Sequence, residues 1–191
     1  ELQRIVSADR FSDRREDMLS YAYDGFVAEA LPDAVVFPLT TQEVAEVMKT
    51  AARHNIPVTC RGAGTGISGG AVPSGGGVAM CFTKMNRILE INTRDRFAVV
   101  QPGVVNFDLQ TALAPEGHFF PPDPASYTVS TIGGNIAENA GGPRCLKYGV
   151  TADYVMALEV VLADGRTARL GSRNVKDVTG YNLTSLFCGS E

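Results

Sequence analysis

Several features that would assign a function class directly are missing from this sequence. The 17 Lys and Arg residues are outnumbered by 21 Asp and Glu residues, which leaves a net charge of −4, and no basic run interleaves with aromatic residues. Such a chain has no electrostatic attraction to nucleic acid or to an anionic membrane surface. Its longest apolar stretches, such as Val155–Ala163, are far shorter than the roughly 20 residues needed to span a bilayer. We therefore expect neither a nucleic-acid partner nor a transmembrane segment.

Metal-binding, disulfide and secretion signatures are also missing. The four cysteines show no Cys-x-x-Cys spacing, and the two histidines, His54 and His118, form no cluster with nearby carboxylates. The first residues, "ELQRIVSADRF", lack the apolar core of a signal peptide. We expect reduced thiols in or near the core, a cytoplasmic location and no metal site. His54 is expected at a helix C-terminus and His118 in packing or solvent, so no catalytic residue is assigned.

The first clear pattern is a β-α-β unit between residues 34 and 61. Residues 34–37 form an apolar run that Pro38 ends, and Thr40 with Glu43 forms a capping box in front of a helical repeat. This helix should run to about His54, and "IPVTC" should be the second strand. Residues 1–33, which carry charge clusters, are predicted to be an N-terminal arm.

A glycine-rich segment, "RGAGTGISGGA", directly follows that second strand. Its Gly64–Gly69 portion spells G-x-G-x-x-G, but a Rossmann fingerprint needs a helix that starts within the glycines. Pro73 and the triplet Gly75–Gly77 cannot lie inside a helix. Two interpretations stay open on these residues alone: a flexible linker, and a loop whose backbone N–H groups converge on a phosphate.

The second half is richer in strands. "RFAVVQPG" is a predicted strand, Asn106 is a predicted cap of a short helix, and the Asp164-Gly165 pair predicts a hairpin turn. The fold class predicted is α+β. A small βα lobe, about 34–89, and a mainly antiparallel lobe, about 92–191, should hold a ligand between them.

A second glycine-rich segment follows a rigid "PPDP" lead-in at residues 121–124. Hydroxylated residues precede two glycine pairs, Gly133-Gly134 and Gly141-Gly142, and residues 135–140 are long enough for one or two helical turns with Ile136 facing inward. Ordinary turn chemistry would produce an irregular loop here. The alternative is a second surface on which the backbone closely approaches a large ligand.

Four blocks in order make the sequence resemble a known family. "RGAGTGISGGA", "PPDPASYTVSTIGGNIAENAGGPRCLKYGVT", "LEVVLADG" and "KDVTGYNLTSLFCGSE" are similar to the FAD-binding (PCMH-type) domain of the vanillyl-alcohol oxidase / p-cresol methylhydroxylase superfamily. Within it, the chain most resembles the flavin subunit of glycolate oxidase and the D-lactate and D-2-hydroxyglutarate dehydrogenases. The resemblance covers about residues 34–191.

The resemblance implies a set of FAD-binding residues. The first segment would hold the pyrophosphate, the second the pyrophosphate and isoalloxazine, the "EVV" strand the adenosine, and the final "GSE" a further part of the cofactor. Backbone N–H groups, hydroxyls and Arg61 would neutralise the diphosphate. Covalent members often carry His near position 65, where this sequence has Thr65, so the FAD should be noncovalent. The implied residues are Arg61, Gly62, Ala63, Gly64, Thr65, Gly66, Ile67, Ser68, Pro122, Asp123, Ser126, Ser130, Thr131, Gly133, Gly134, Glu138, Asn139, Gly141, Glu159, Val160, Gly189, Ser190 and Glu191.

The family also implies an activity. It would be oxidation of a small 2-hydroxyacid, with hydride transfer from the α-carbon to flavin N5. The resemblance further implies a partner subunit that carries an iron–sulfur centre or a second flavin, and a location peripheral to the inner membrane through that partner. Family members place their catalytic residues in a C-terminal cap domain that we expect to be absent here, so this chain alone should be inactive. Two alternatives are an electron-transfer flavin subunit without an organic substrate and a binding module that has lost its cofactor.

Overall fold

Two units, each with its own hydrophobic core, make up the chain. The computed structural model describes residues 1–191. Residues 1–85 and 160–168 form the first unit, and residues 86–159 and 169–191 form the second. Helices and mostly short strands alternate along the chain, which confirms the α+β fold class. None of the helices is both long enough and apolar enough to cross a bilayer.

The first unit is built on a four-stranded sheet with one long helix. Its elements are α1 (Leu2–Val6), β1 (Phe11–Ser12), α2 (Arg15–Met18), β2 (Ala34–Val36), α3 (Thr41–His54), β3 (Val58–Arg61) and β4 (Val78–Cys81). β2 and β3 both run parallel to β4, β1 is antiparallel to β2, and the strand order is β1-β2-β4-β3.

The helix α3 follows the predicted capping pattern. The Thr40 hydroxyl oxygen accepts a hydrogen bond from the Glu43 N–H at 3.2 Å, and Asn55 ends the helix in the left-handed conformation at φ 52°. Val44 and Val47 are buried on one face, as their spacing predicts, and pack with Val36 and Met80 of the sheet. The predicted start and end of this helix are therefore confirmed.

Residues before β2 contribute to the same core. Val6 of α1 is completely buried in the cluster that includes Val47, and Met18 of α2 packs with Val35 and Ala79. Part of the predicted N-terminal arm thus lies inside the first unit, because its apolar residues are buried against the sheet and against α3.

The second unit contains two strand pairs and four short helices. The elements are β5 (Ile88–Asn92), β6 (Phe97–Val100), α4 (Asn106–Leu113), α5 (Ile132–Ala137), α6 (Cys145–Tyr148), β7 (Ala157–Val161), β8 (Thr167–Gly171) and α7 (Leu183–Phe187). β5 and β6 are antiparallel, and β7 and β8 form a two-stranded sheet. Residues 160–168, which comprise the turn and the adjoining ends of β7 and β8, belong to the first unit. Leu162 donates to the Arg166 carbonyl across the predicted Asp164-Gly165 turn.

Three local predictions were wrong. Asn106 does not cap α4, since the cap position is Val105 and the Asn106 side chain is completely buried instead. Helix α5 spans Ile132–Ala137 rather than 135–140, because Thr131 caps it and its glycine pair lies in the first turn. Only Cys81 and Cys188 are buried, whereas Cys60 and Cys145 are exposed; all four are free thiols.

Candidate functional site

The first glycine segment, residues 62–77, connects the parallel strands β3 and β4 without any helix. This confirms that the G-x-G-x-x-G letters do not form a Rossmann turn. Gly64 adopts φ +70°, and a side chain there would collide with the Arg61 guanidinium. Residues 62–66 are partly exposed and Ile67 and Ser68 are exposed, so the tip of the segment faces solvent.

Arg61, the last residue of β3, fixes the base of this segment. Its side chain is buried, and Nη1 donates to the carbonyls of Tyr21 at 3.1 Å, Tyr23 at 3.0 Å and Ala71 at 3.4 Å. The guanidinium also lies over the Tyr21 ring, at 5.4 Å from its centroid. No carboxylate forms an ion pair with Arg61, and its Nε is buried without a hydrogen-bond partner. The guanidinium is thus held at the segment by backbone carbonyls and an aromatic ring rather than by an ion pair.

Burial also affects the ring beneath Arg61. Loss of solvent raises the pKa of the Tyr21 hydroxyl, although the Arg61 charge acts in the opposite direction. Tyr21 is therefore neutral at physiological pH, and its ring supports the guanidinium through its face rather than through a negative charge.

A loop that precedes β2 lies against the tip of the first segment. The Gly25 N–H donates to the Gly66 carbonyl at 2.7 Å. Asp24 is buried next to it; Oδ1 accepts from the Phe26 N–H at 2.7 Å, but Oδ2 is buried with no partner. Sequence reasoning did not indicate this carboxylate, because Asp24 stands outside both glycine-rich motifs.

In the second unit, buried amides hold the lead-in to the second glycine segment. Asn106 Nδ2 donates to the Pro122 carbonyl at 3.1 Å. Asp123 accepts from the Arg144 N–H at 3.1 Å and forms an ion pair with the Arg144 Nε at 3.3 Å. The Ser126 carbonyl accepts from the N–H groups of Val129 and Ser130. Pro122, Asp123 and Ser126 therefore form a fixed turn in front of α5.

Helix α5 is packed directly on residues before α4. The Thr131 hydroxyl oxygen accepts from the Gly134 N–H at 3.4 Å, and the Gly133 N–H donates to the Pro102 carbonyl at 2.8 Å. A Cβ at Gly133 would lie 2.7 Å from the Pro102 Cβ, which is closer than real contacts allow. The Gly133 position thus requires glycine for close packing of the backbone.

The end of α5 contacts the C-terminal residues. The Gly189 N–H donates to the Ile136 carbonyl at 2.9 Å and the Glu191 N–H to the Ala137 carbonyl at 3.2 Å, while the exposed Ser190 bonds to Phe187. Asn139, at φ 49°, accepts from the Ala152 N–H at 2.8 Å. The predicted residues Glu138, Asn139, Gly189, Ser190 and Glu191 therefore lie close to one helix end.

The remaining predicted cofactor residues and the two histidines each have separate local contacts. Gly141 lies beside Cys145 and Val150. Glu159 lies on β7 and forms an ion pair with Arg169 of β8 at 3.1 Å, and Val160 follows it on the same strand. His54, at the end of α3, is 3.4 Å from the Glu1 carboxylate, and His118 Nδ1 is 2.7 Å from the Glu116 carbonyl. The contacts of Glu159, His54 and His118 do not involve the glycine segments.

Buried polar atoms without a hydrogen-bond partner lie in or next to both glycine segments. Four buried side-chain atoms of the chain have no hydrogen-bond partner: Asp24 Oδ2, Arg61 Nε, Ser130 Oγ and Asn135 Nδ2. The first two lie at the first glycine segment and the last two within the second. Buried polar groups in folded proteins are nearly always hydrogen-bonded. Both segments thus present hydrogen-bonding groups that the protein itself does not satisfy.

Comparison with known proteins identifies the ligand class. A family model described as "FAD binding domain" matches residues 32–171, nearly three quarters of the chain. The chain belongs to this FAD-binding domain family. FAD is accordingly its cofactor, and the resemblance inferred from the four sequence blocks is confirmed.

Individual relatives agree with this assignment. The glycolate oxidase subunit GlcD of Bacillus subtilis is 46% identical over 192 residues, covering 100% of this chain and 41% of the relative. A D-lactate dehydrogenase of Archaeoglobus fulgidus is 41% identical over 197 residues, covering 100% and 42%. A crystal structure of p-cresol methylhydroxylase with bound substrate matches with a TM-score of 0.77 at 25% identity, covering 98% of this chain and 36% of that one. The chain spans about two fifths of the length of these relatives.

The residues present fit an FAD molecule. Its diphosphate and flavin ring offer hydrogen-bond acceptors, which suit the unpartnered donors Arg61 Nε, Ser130 Oγ and Asn135 Nδ2. Its ribose and ribityl hydroxyls are donors, which suit the unpartnered Asp24 Oδ2.

Proposed function

We propose that this chain is the FAD-binding part of a flavin-dependent oxidoreductase that acts on D-2-hydroxyacids. The observation that carries the proposal is that all four unpartnered buried polar atoms lie in the second glycine segment, in Arg61 at the base of the first, or in the loop against the first. The relatives named glycolate oxidase subunit and D-lactate dehydrogenase support the substrate class. The glycolate oxidase relative is a subunit by name, which supports a partner subunit here as well.

The residues of this chain would bind and orient the cofactor. The first glycine segment and Arg61 would hold the diphosphate, and the second segment, with residues 189–191 at the end of α5, would hold the remainder of the molecule. When bound, FAD supplies the hydride acceptor for oxidation of the hydroxyl-bearing carbon. Residues 62–77 contain no His, Cys or Tyr that could attach a flavin, so this segment should leave the cofactor noncovalent.

Titration of the purified chain with FAD tests the cofactor. We expect quenching of flavin fluorescence, saturation at one FAD per chain, and release of the flavin into the supernatant on acid precipitation. FMN serves as the control ligand, because it lacks the diphosphate bridge that the first segment is proposed to hold. Absence of FAD binding, or flavin that stays covalently attached, would contradict this part of the proposal.

Anaerobic addition of glycolate, D-lactate or D-2-hydroxyglutarate tests the activity. We expect no loss of the flavin band at roughly 450 nm with this chain alone, because none of its residues is assigned to the chemical step. A longer polypeptide that contains this chain together with the remaining three fifths of a relative's length should be bleached by at least one of the three acids. Bleaching of the short chain would show that it already holds the catalytic groups. A longer polypeptide that binds FAD but reacts with none of them would favour an electron-transfer subunit.

A further inference from the structure

Large apolar side chains face solvent in and before α7. Val175 is 100% exposed, Val178 78% and Tyr181 96%, and in the helix itself Leu183 and Leu186 are exposed as well. We call these five side chains the outer apolar face. Single exposed apolar residues are normal on a protein surface, whereas a group of them marks a surface that another molecule or segment covers.

Helix α7 packs with its smaller side chains inward. Thr184 and Cys188 are buried, whereas Leu183 and Leu186 point away from the second unit. A Cβ at Gly171 would lie 2.7 Å from the Thr184 Cγ2, so the helix rests on the end of β8 through this threonine. A surface helix normally turns its apolar residues towards the core and its polar residues outward. The reversed arrangement is the one expected of a helix with a second packing partner on its outer side.

The loop before α7 shows the same reversal. Its polar groups are bonded within the loop: the Thr179 N–H donates to Asp177 Oδ1 at 3.0 Å. Hydrogen bonds from Ser172 first, and then from Thr179, lower the pKa of the Asp177 carboxyl. The loop is therefore shaped by its own polar contacts, while Val175 and Val178 contribute nothing to its interior.

We propose that the outer apolar face is the docking surface for an apolar segment of the same polypeptide, within the part of the relatives' length that this chain does not match. This inference rests on the proposed function. The relatives match the whole of this chain with about two fifths of their own length, so in them the corresponding surface belongs to a much larger polypeptide. A segment of the same polypeptide has a far higher effective concentration than a separate molecule, so it occupies such a surface first.

Thiol labelling tests whether the face is covered. Val178→Cys places a thiol on it, which should react with iodoacetamide at least about tenfold more slowly in the longer polypeptide described above than in this chain, because reaction then requires the docked segment to open. Leu19→Cys is the matched control, since Leu19 is 55% exposed in the first unit and should react equally fast in both. Mass spectrometry of peptides measures each position separately from the exposed Cys60 and Cys145. Equal slowing at both positions would overturn the proposal, because protection would then not be specific to the face.

Tyr181→Glu tests the same surface through stability. In this chain the side chain is almost completely exposed, so we expect the midpoint of thermal unfolding to stay within about 1 °C. In the longer polypeptide the midpoint should fall by at least about 3 °C, because the new charge would be enclosed in an apolar contact. An unchanged midpoint in both would contradict the docking role.

The outcomes also separate this inference from the proposed function, because neither measurement uses the flavin. If the longer polypeptide binds FAD and oxidises a 2-hydroxyacid, yet Val178→Cys reacts as fast as in this chain, only this inference is overturned. Slower labelling of this chain alone as its concentration is raised would assign the face to a second copy and overturn the proposal. Protection that appears only when the longer polypeptide is purified together with other subunits would overturn it in favour of a partner subunit.

Discussion

At the scale of single residues, glycine occurs in the two segments for more than one physical reason. Gly64 is favoured because its φ of +70° strains any other residue, and Gly133 because a side chain would collide with Pro102. These glycines allow close internal packing and do not by themselves indicate a ligand. The unpartnered atoms of Asp24, Arg61 and Asn135 indicate one more directly.

Gly133→Ala tests the close approach of α5 to Pro102. We expect a loss of about 1–3 kcal/mol in the free energy of unfolding, since a Cβ 2.7 Å from the Pro102 Cβ forces the helix to move. Urea denaturation followed by circular dichroism measures it. Gly134→Ala is the control in the same helical turn, where the added Cβ meets only the Thr131 hydroxyl oxygen at 3.3 Å. Equal losses in the two variants would show that helix packing does not distinguish these glycines.

Single residues were also the level at which sequence reasoning succeeded least. Asn106 was predicted as a helix cap from its residue type, yet its side chain binds the Pro122 carbonyl 16 positions along the chain. Asn135 was not predicted at all, because a small polar residue between glycine pairs is typical of any loop. In both cases the decisive partner, or its absence, depends on tertiary packing that local sequence does not encode.

At the scale of elements, predictability followed the strength of local signals. Helix α3 has a capping box and a regular apolar repeat, so its beginning and end were predicted correctly. Helix α5 has a glycine pair in its first turn, which suggested a loop; the Thr131 cap and the contact with Pro102 stabilise it instead. The β-α-β unit and the Asp164-Gly165 hairpin were predictable because their turn and strand signals are local.

The ion pair between Arg10 and Glu43 ties the N-terminal residues to α3. The Arg10 guanidinium donates to both carboxylate oxygens of Glu43, at 2.6 and 2.8 Å, and the Leu39 N–H donates to the same carboxylate at 2.7 Å. These side chains are 12% and 20% exposed. The hydrogen bond from Arg10 is the main reason that the pKa of Glu43 is lowered, followed by smaller contributions from Leu39 and Thr40.

Glu43→Gln should therefore destabilise the chain in a pH-dependent way. Because the pKa of Glu43 is lower in the folded state, its contribution is complete above the ordinary value of 4.5 and is lost as the pH falls through the folded value. We expect a loss of about 1–3 kcal/mol at pH 7 that shrinks towards zero well below pH 4.5. Urea denaturation at pH 7 and at a pH well below 4.5 measures this loss in the free energy of unfolding. Glu16→Gln, which breaks an exposed pair with Arg14 at 3.7 Å, should change little at either pH. A loss that persists unchanged in acid would exclude the ion pair as its cause.

At the scale of the whole molecule, a net charge of −4 has to be reconciled with an anionic cofactor. The chain as a whole repels the two negative charges of the diphosphate, so attraction must come from groups at the site itself. Under the proposed function, backbone N–H groups, hydroxyls and the buried Arg61 would provide it without a basic surface. This is also why a composition that argues against nucleic-acid binding does not argue against binding of a nucleotide cofactor.

The salt dependence of FAD affinity tests whether groups at the site, rather than surface charge, attract the diphosphate. Surface cations lose their attraction for an anion as ionic strength rises, whereas short-range hydrogen bonds inside a buried site are screened much less. We expect the dissociation constant of FAD to change less than about threefold between roughly 20 and 500 mM NaCl, a range of about 25-fold over which surface charge becomes screened. Repulsion from the net negative charge is screened over the same range. Riboflavin, which has no phosphate, is the reference for effects of salt on the flavin ring. A weakening of tenfold or more for FAD, with riboflavin unchanged, would mean that exposed cations rather than the glycine segments hold the diphosphate.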